Sequence, residues 1–386
     1  MGHTGQKMER LLSDDEKTMK KRGCRIFLWL LFGAFFLCIV AAGISALTNL
    51  SLPPGPAQLD RLDNLDKARL AETLHLKETL GEAIWPGFGQ TDIPIVLWNR
   101  AYTFLTGYPR APAGWEEVPD DTFAGQPYYR QPTHEPKNFA LLVDGHWAAS
   151  MATKHETDLF FREQFQQSLP PVIKQVFPYR LLIFPSETQI TAVLHESFHA
   201  YQAIAAPERF AAADQAYRQG DAYWELDATM HASWTTEIEL LVSALQAESD
   251  EEVADRGRQF LALRGQRRAS LDPALVDYER QVEWLEGLAK YVEMESWRQA
   301  AESTDYVPVA EMDADPDFRS YRNFEQHSRQ ELNQMRLQAT RPGDVRFYYT
   351  GMAQGFLLDR LLPGWKERVL EEGVYLEDLV EEAVKR

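Results

Sequence analysis

Cysteine is nearly absent: the 386 residues include two, Cys24 and Cys38, both at or within one long apolar run. The chain beyond that run therefore has no disulfide and no thiolate metal ligand. Many secreted eukaryotic domains rely on disulfides, so this absence points towards a bacterial envelope protein. A basic balance is missing as well. Forty Lys and Arg stand against 58 Asp and Glu, a formal charge of −18 at pH 7. Residues 1–25 run the other way, with seven basic and four acidic residues, and leave −21 for residues 48–386. A surface that acidic repels nucleic acid, and no nucleic-acid partner is expected. No internal repeat is evident.

Apolar runs are short except for one. Ile26–Leu47 (IFLWLLFGAFFLCIVAAGISAL) carries no charge and is long enough to cross a bilayer. It is longer than the apolar core of a cleaved signal peptide, and no Ala-x-Ala site follows it. Lys17, Lys20, Lys21, Arg22 and Arg25 precede it, and no basic residue follows closely. The positive-inside rule then leaves residues 1–25 as a cytoplasmic tail, residues 26–47 as a signal anchor, and the rest outside the cytoplasm. This is a single-pass membrane protein, expected in a bacterial inner membrane and facing the periplasm or the exterior.

Residues 48–84 read as a Pro-rich linker and a stalk helix over Leu59–Ile84, with leucines at helical spacing. Between Trp85 and Phe184 the pattern changes to short β-like runs at 93–98, 139–143 and 179–184, with a helix over about 156–167 before the last. Past residue 207 the spacing predicts helices over about 208–218, 222–247, 250–266, 273–301, 318–338 and 350–361, with a short one near the C-terminus. The expected fold is α+β: a small strand-bearing half followed by a larger helical half, together one domain over 85–386.

Where the two halves join lies Thr188-Gln-Ile-Thr-Ala-Val-Leu-His195-Glu196-Ser-Phe-His199-Ala-Tyr-Gln202. Ile190, Leu194, Phe198, Tyr201 and Ala205 recur at three- and four-residue steps, the mark of a helix with one apolar stripe. Ser186 with Gln189 suggests a capping box, and Pro207 limits the far end. On such a helix His195 and His199 share a face and can meet one Zn²⁺ ion, while Glu196 can take a proton from a water on the metal. The helix would line the cleft between the halves.

A catalytic zinc normally has three protein ligands. Gln202 and Ala205 occupy the places where the metzincin arrangement requires Gly and His, so the third ligand must come from elsewhere. The stretch Glu279-Arg-Gln-Val-Glu283-Trp-Leu-Glu286-Gly287-Leu-Ala289-Lys290-Tyr291-Val-Glu293 offers acids on a buried stripe. Gly287 inside a helix costs about 1 kcal/mol relative to Ala and signals close packing. By spacing alone, Glu286 reads equally as a ligand and as half of a solvated pair with Lys290.

Together, His195-Glu196-Ser-Phe-His199 and the downstream Glu286-Gly-Leu-Ala-Lys-Tyr resemble the gluzincin type of zinc metallopeptidase. The resemblance implies His195, His199 and Glu286 as zinc ligands, Glu196 as catalytic base, and a peptide or protein substrate. Two features depart from it: 87 residues separate His199 from Glu286, and Lys290 stands where several such families have an acid. Glu283 or Glu293 is then the candidate to orient a ligand histidine. For the donor that stabilises an oxyanion we expect Tyr349, with Tyr348 second and His231 and His327 as alternatives. Arg360, Trp365 and Lys366 read as packing. Strand 179–184 is the expected edge for holding an extended peptide. Two other functions fit the sequence: a catalytically silent envelope adaptor with a peptidase-like fold, and a zinc amidase acting on cell-wall material.

Overall fold

The computed structural model describes residues 27, 29–50, 52, 58–218, 220, 223 and 231–386. The expected cytoplasmic tail, most of the linker and the start of the helix expected at 222–247 lie outside these residues. The chain divides into two units, residues 1–55 with 158–183, and residues 56–157 with 184–386.

In the first unit, helix α1 (Trp29–Leu50) is long and apolar enough to cross a membrane, with a mean hydropathy of 2.5. Its 22 residues extend slightly past the expected boundary at Leu47.

The second unit begins with α2 (Asn64–Ile84), whose Asp63 side chain caps the Asp66 amide. Six strands follow: β1 (Ile95–Trp98), β2 (Tyr102–Thr106), β3 (Glu116–Glu117), β4 (Tyr129–Pro132), β5 (Phe139–Val143) and β6 (His146–Ala152). They form one mixed sheet in the order β3-β4-β2-β1-β6-β5, parallel between β1 and β6 and antiparallel elsewhere. The β5–β6 hairpin turns at Asp144-Gly145, both at positive φ, which is Asp-Gly turn chemistry. Of the strands expected, 139–143 is present, and 93–98 is present as the shorter Ile95–Trp98.

The run at 179–184 is not a strand. Tyr179–Leu182 forms a 3₁₀ turn between Pro178 and Pro185. Proline at both ends limits ladder hydrogen bonding, and the Tyr179 hydroxyl turns back to the Lys174 carbonyl at 2.7 Å.

The remaining elements are helical: α3 (Lys154–Ser168), α4 (Pro171–Val176), α5 (Ser186–Ala205), α6 (Pro207–Tyr217), α7 (His231–Leu245), α8 (Asp250–Arg268), α9 (Pro273–Val282), α10 (Leu288–Glu302), α11 (Phe324–Gln338), α12 (Val345–Leu361), α13 (Trp365–Arg368) and α14 (Leu376–Lys385). α9 and α10 form one rod joined by a π-helical turn, Glu283–Gly287. This six-stranded sheet and largely helical remainder are consistent with the α+β expectation.

β1 is buried on both faces. Ile95 and Leu97 join Phe104, Ala149 and Met151 in the main core, against Ile190, Val193, Leu194 and Phe198 of α5. Val96 faces the opposite side with Leu105, Tyr129, Val143 and Ala148. Ser186 does not form the capping box. Its hydroxyl donates to Asp315 at 2.7 Å, within a buried cluster where Arg69 grips the same carboxylate, and Gln189 donates to the Ala152 carbonyl at 2.6 Å. These bonds tie α5 to α2 and to the end of β6.

Candidate metal centre

The apolar stripe of α5 is committed to the core, which turns its histidine face towards α10 and the π-turn. His195 and His199 are one helical turn apart, with ring centroids 4.9 Å from each other. Glu286, within the π-turn, brings one carboxylate oxygen to 3.4 Å from His195 Nε2 and 3.2 Å from His199 Nε2. All three side chains are buried and their ligand atoms lie within 4.8 Å of one another, so this group can hold a metal ion.

The close packing signalled by Gly287 is real. A Cβ on Gly287 would lie 2.5 Å from the Gly351 Cα, and one on Gly351 would lie 2.5 Å from the Glu283 carbonyl oxygen. α12 therefore crosses the π-turn glycine against glycine. The crossing sets Tyr348 over the site, its ring stacked on His195 at 5.8 Å. Burial and the Glu286 charge push that hydroxyl well above its usual range, so it stays protonated as a donor.

The imidazoles are held from behind. The Gln202 Oε1 lies 3.0 Å from His199 Nδ1. The same amide donates to the carbonyls of Trp284 and Leu285, at 2.9 and 3.2 Å. A π-turn departs from the regular i→i−4 ladder, and Gln202 bonds two of its carbonyls. With its NH₂ so used, Gln202 can only accept from His199, which puts the proton on Nδ1 and leaves Nε2 for a metal. Behind His195 is Glu293, 3.3 Å from Nδ1, close but without the alignment of a full hydrogen bond. Lys290 binds Glu293 at 2.6 Å and Glu331 at 2.8 Å.

Charge inside the site follows from these contacts. Burial opposes a charged His195, but Glu286 and Glu293 outweigh it and push the imidazole up to about 10. Burial likewise opposes charge on Glu286, and His199 and His195 overcome it, holding that carboxyl well below its usual range. Glu196 behaves differently. Burial dominates and lifts it to about 7, against the pull of both histidines. Its Oε2 is buried with no hydrogen-bond partner among the described residues. It has the properties of a base waiting for a proton.

The site opens on a cavity of about 610 Å³ walled by Lys137, Asn138, Phe139, Asp214, Tyr217, Arg218 and Tyr348. A larger one, about 730 Å³, follows the outer face of the sheet and contains none of the metal-binding trio. The two share Lys137, Phe139, Asp214 and Arg218 around the end of β5.

The other residues singled out from the sequence lie elsewhere. Tyr349 gives its hydroxyl to Glu331 at 3.1 Å and lies beneath Lys290, outside the cavity wall. Glu283 belongs to a buried arginine cluster, with Arg264 at 2.6 Å. His327 stacks on Trp297 at 3.8 Å, and His231 opens α7; neither lines the cavity. Arg360, Trp365 and Lys366 make packing bonds, to Asp250, Asp359 and the Ile84 carbonyl.

Sequence reasoning missed Gln202, Phe139 and Tyr217. Gln202 lies three residues after His199, a spacing that places it on the histidine face. Phe139 and Tyr217 had no such signal. Compared with protein-family models, curated proteins and solved structures, the chain matches none.

Gln202→Ala is expected to weaken metal binding about 10- to 100-fold, the usual cost of losing an outer partner of a ligand histidine. Competition titration against a chromophoric chelator measures it. Unchanged affinity would mean that something else orients His199.

Proposed function

We propose that this chain is a zinc-dependent metallopeptidase of the gluzincin type, anchored by α1 with its N-terminus in the cytoplasm and its larger part outside. The observation that carries this reading is the buried His195–His199–Glu286 trio at the wall of an open cavity, with Glu196 beside it, its Oε2 without a hydrogen-bond partner among the described residues. The donor set fits zinc: two imidazoles and one carboxylate are a standard three-ligand set that keeps a fourth position open. When bound, zinc supplies a Lewis acid that polarises a carbonyl and brings the pKa of water towards neutrality.

The chain's own groups do the rest. Glu196, poised near 7, accepts a proton from the attacking water and returns it to the leaving amine. Tyr348 is the oxyanion donor in this reading, because its ring lies on His195 at the cavity wall and its hydroxyl stays protonated. Gln202 and Glu293 keep the imidazoles aimed. With 179–184 excluded as a strand, β5 takes over as the surface for an extended peptide. It is one of the sheet's two edge strands, and its first residue, Phe139, packs on His199 with centroids 4.6 Å apart. The anchoring rests on the hydropathy of α1, and its direction on the basic flank before it.

Glu196→Gln tests the reading. The variant should keep one equivalent of zinc and lose about 10²- to 10⁴-fold in cleavage of an unfolded protein, the range for removing a general base. Cleavage of purified wall fragments instead of protein would favour the amidase. Full biological activity in the Glu196→Gln variant would favour the adaptor.

A further inference from the structure

The unit that contains α1 also contains residues 158–183, which the reaction does not use. This stretch runs from the second half of α3 through α4 to the 3₁₀ turn Tyr179–Leu182. The Asn49 side chain, in the last turn of α1, bonds to it. Asn49 donates its amide to the Phe177 carbonyl at 2.7 Å and accepts from the Tyr179 amide at 3.2 Å. Phe165, Phe177 and Tyr179 then pack ring against ring at tilted angles, with centroids 4.5 and 5.3 Å apart, so the stretch is held as a folded piece.

That piece shows large apolar side chains to the surroundings. Phe160 is 55% exposed, Phe161 43%, Ile173 44% and Leu181 78%. Its charge is also unlike the rest. Arg162, Lys174 and Arg180 against Asp158 and Glu163 give +1, in a region that totals −21 over residues 48–386. A helix that crosses a bilayer leaves the hydrocarbon at its ends, so whatever is bonded to Asn49 sits at headgroup depth. Apolar side chains with adjacent basic ones suit that depth, the former entering the acyl boundary and the latter reaching phosphates.

We propose that residues 158–183 form a membrane-interface foot, with Phe160, Phe161, Ile173 and Leu181 seated in the lipid surface where α1 emerges. The foot rests on the reading of α1 as a membrane anchor. Its partner is the bilayer itself, not a second polypeptide. The Asn49 bonds hold the foot at the surface.

The test uses the full chain in vesicles of phosphatidylcholine and phosphatidylglycerol, with Cys24→Ser and Cys38→Ser and one environment-sensitive fluorophore. The label is placed by Leu181→Cys, by Leu37→Cys within α1, or by Val307→Cys, a distant position that is 69% exposed. Lipids carrying a shallow or a deep spin label act as quenchers. The foot predicts loss of emission at 181 with the shallow quencher, loss at 37 with the deep one, and none at 307. If 181 behaves like 307, the foot is wrong while the anchor stands. If 181 is shielded from aqueous iodide yet untouched by either lipid quencher, a polypeptide covers it and the foot is again wrong. If 37 is unquenched, α1 does not span, and the anchor and the foot fail together.

Discussion

Under the proposed zinc reading, Glu286→Ala should remove the metal, taking a stoichiometry near one to a trace after dialysis against metal-free buffer. The carboxylate contacts both Nε2 atoms, at 3.4 and 3.2 Å, and no other acid does so among the described residues. Losing it leaves two ligands, and the affinity loss should exceed the roughly 10- to 100-fold that an outer-shell partner costs. Glu293 cannot replace it, because it approaches His195 from the Nδ1 side and is held there by Lys290. Elemental analysis of wild type and variant measures the effect. Zinc kept by the variant would move the third ligand elsewhere and undo the resemblance on which Glu286 was chosen.

Binding should also depend on pH with a definite sign. His195 is pushed up to about 10 and carries a proton at neutral pH, whereas a ligand imidazole must be neutral at the metal-binding nitrogen. Metal uptake at pH 7–8 should therefore release about one proton from this residue, and affinity should weaken as pH falls. Calorimetry in buffers of different ionisation enthalpy gives the proton count.

Arg264→Met is the second large effect, on stability. Arg264 is fully buried and makes a two-pronged bond to Glu283 at 2.8 and 2.6 Å, while reaching Glu237 at 3.3 Å. Arg267, Arg268 and Arg280 extend the cluster to Glu279 and Glu377. Replacing both sides of such a cluster with apolar residues can be neutral, but removing one partner strands buried carboxylates. The expected cost is about 3–5 kcal/mol, read from urea denaturation. Glu283 opens the π-turn, so the same variant should also loosen metal binding. Stability lost without any change in affinity would separate the cluster from the site.

Acid should undo this cluster in a predictable range. Burial alone would raise Glu279, but Arg268 and Arg267 bring it from 4.5 down to about 2. A carboxyl whose pKa is lower folded than unfolded stabilises the fold at pH values above the unfolded one. The contribution, about 3 kcal/mol, is lost as pH drops from about 4.5 through 2.

How much of this was legible varies by element. The α5 helix could be read because Ile190, Leu194 and Phe198 repeat at helical spacing over a long stretch. β6 could not, since His146–Ala152 is rich in alanine, has no β-branched residue, and owes its place to pairing on both sides with β1 and β5. The 179–184 run has strand composition but no ladder partner among the described residues. For a stretch this short, tertiary pairing outweighs local preference. Glu283 lies three residues before Glu286 and would share its face on a regular helix. The wider π-turn sends it instead to Arg264, and Glu293 takes the place behind His195.

Tyr348 and Tyr349 were expected ahead of a helix starting near 350, but that helix begins at Val345. Neighbours on a helix point about 100° apart, so only one of them can face the site. The contact of Gly351 with Gly287 turns α12 so that this one is Tyr348.

The sequence by itself determined two things: an uncharged run long enough to cross a bilayer, and a histidine pair one turn apart with a glutamate beside it. Both are local, set by length and helical period. Only the tertiary structure decided which acid meets the histidines, which tyrosine covers them, and that Gln202 links the π-turn to His199. Those choices depend on one extra residue in a helical turn and on two glycines in contact across more than sixty residues, and neither leaves a periodic trace.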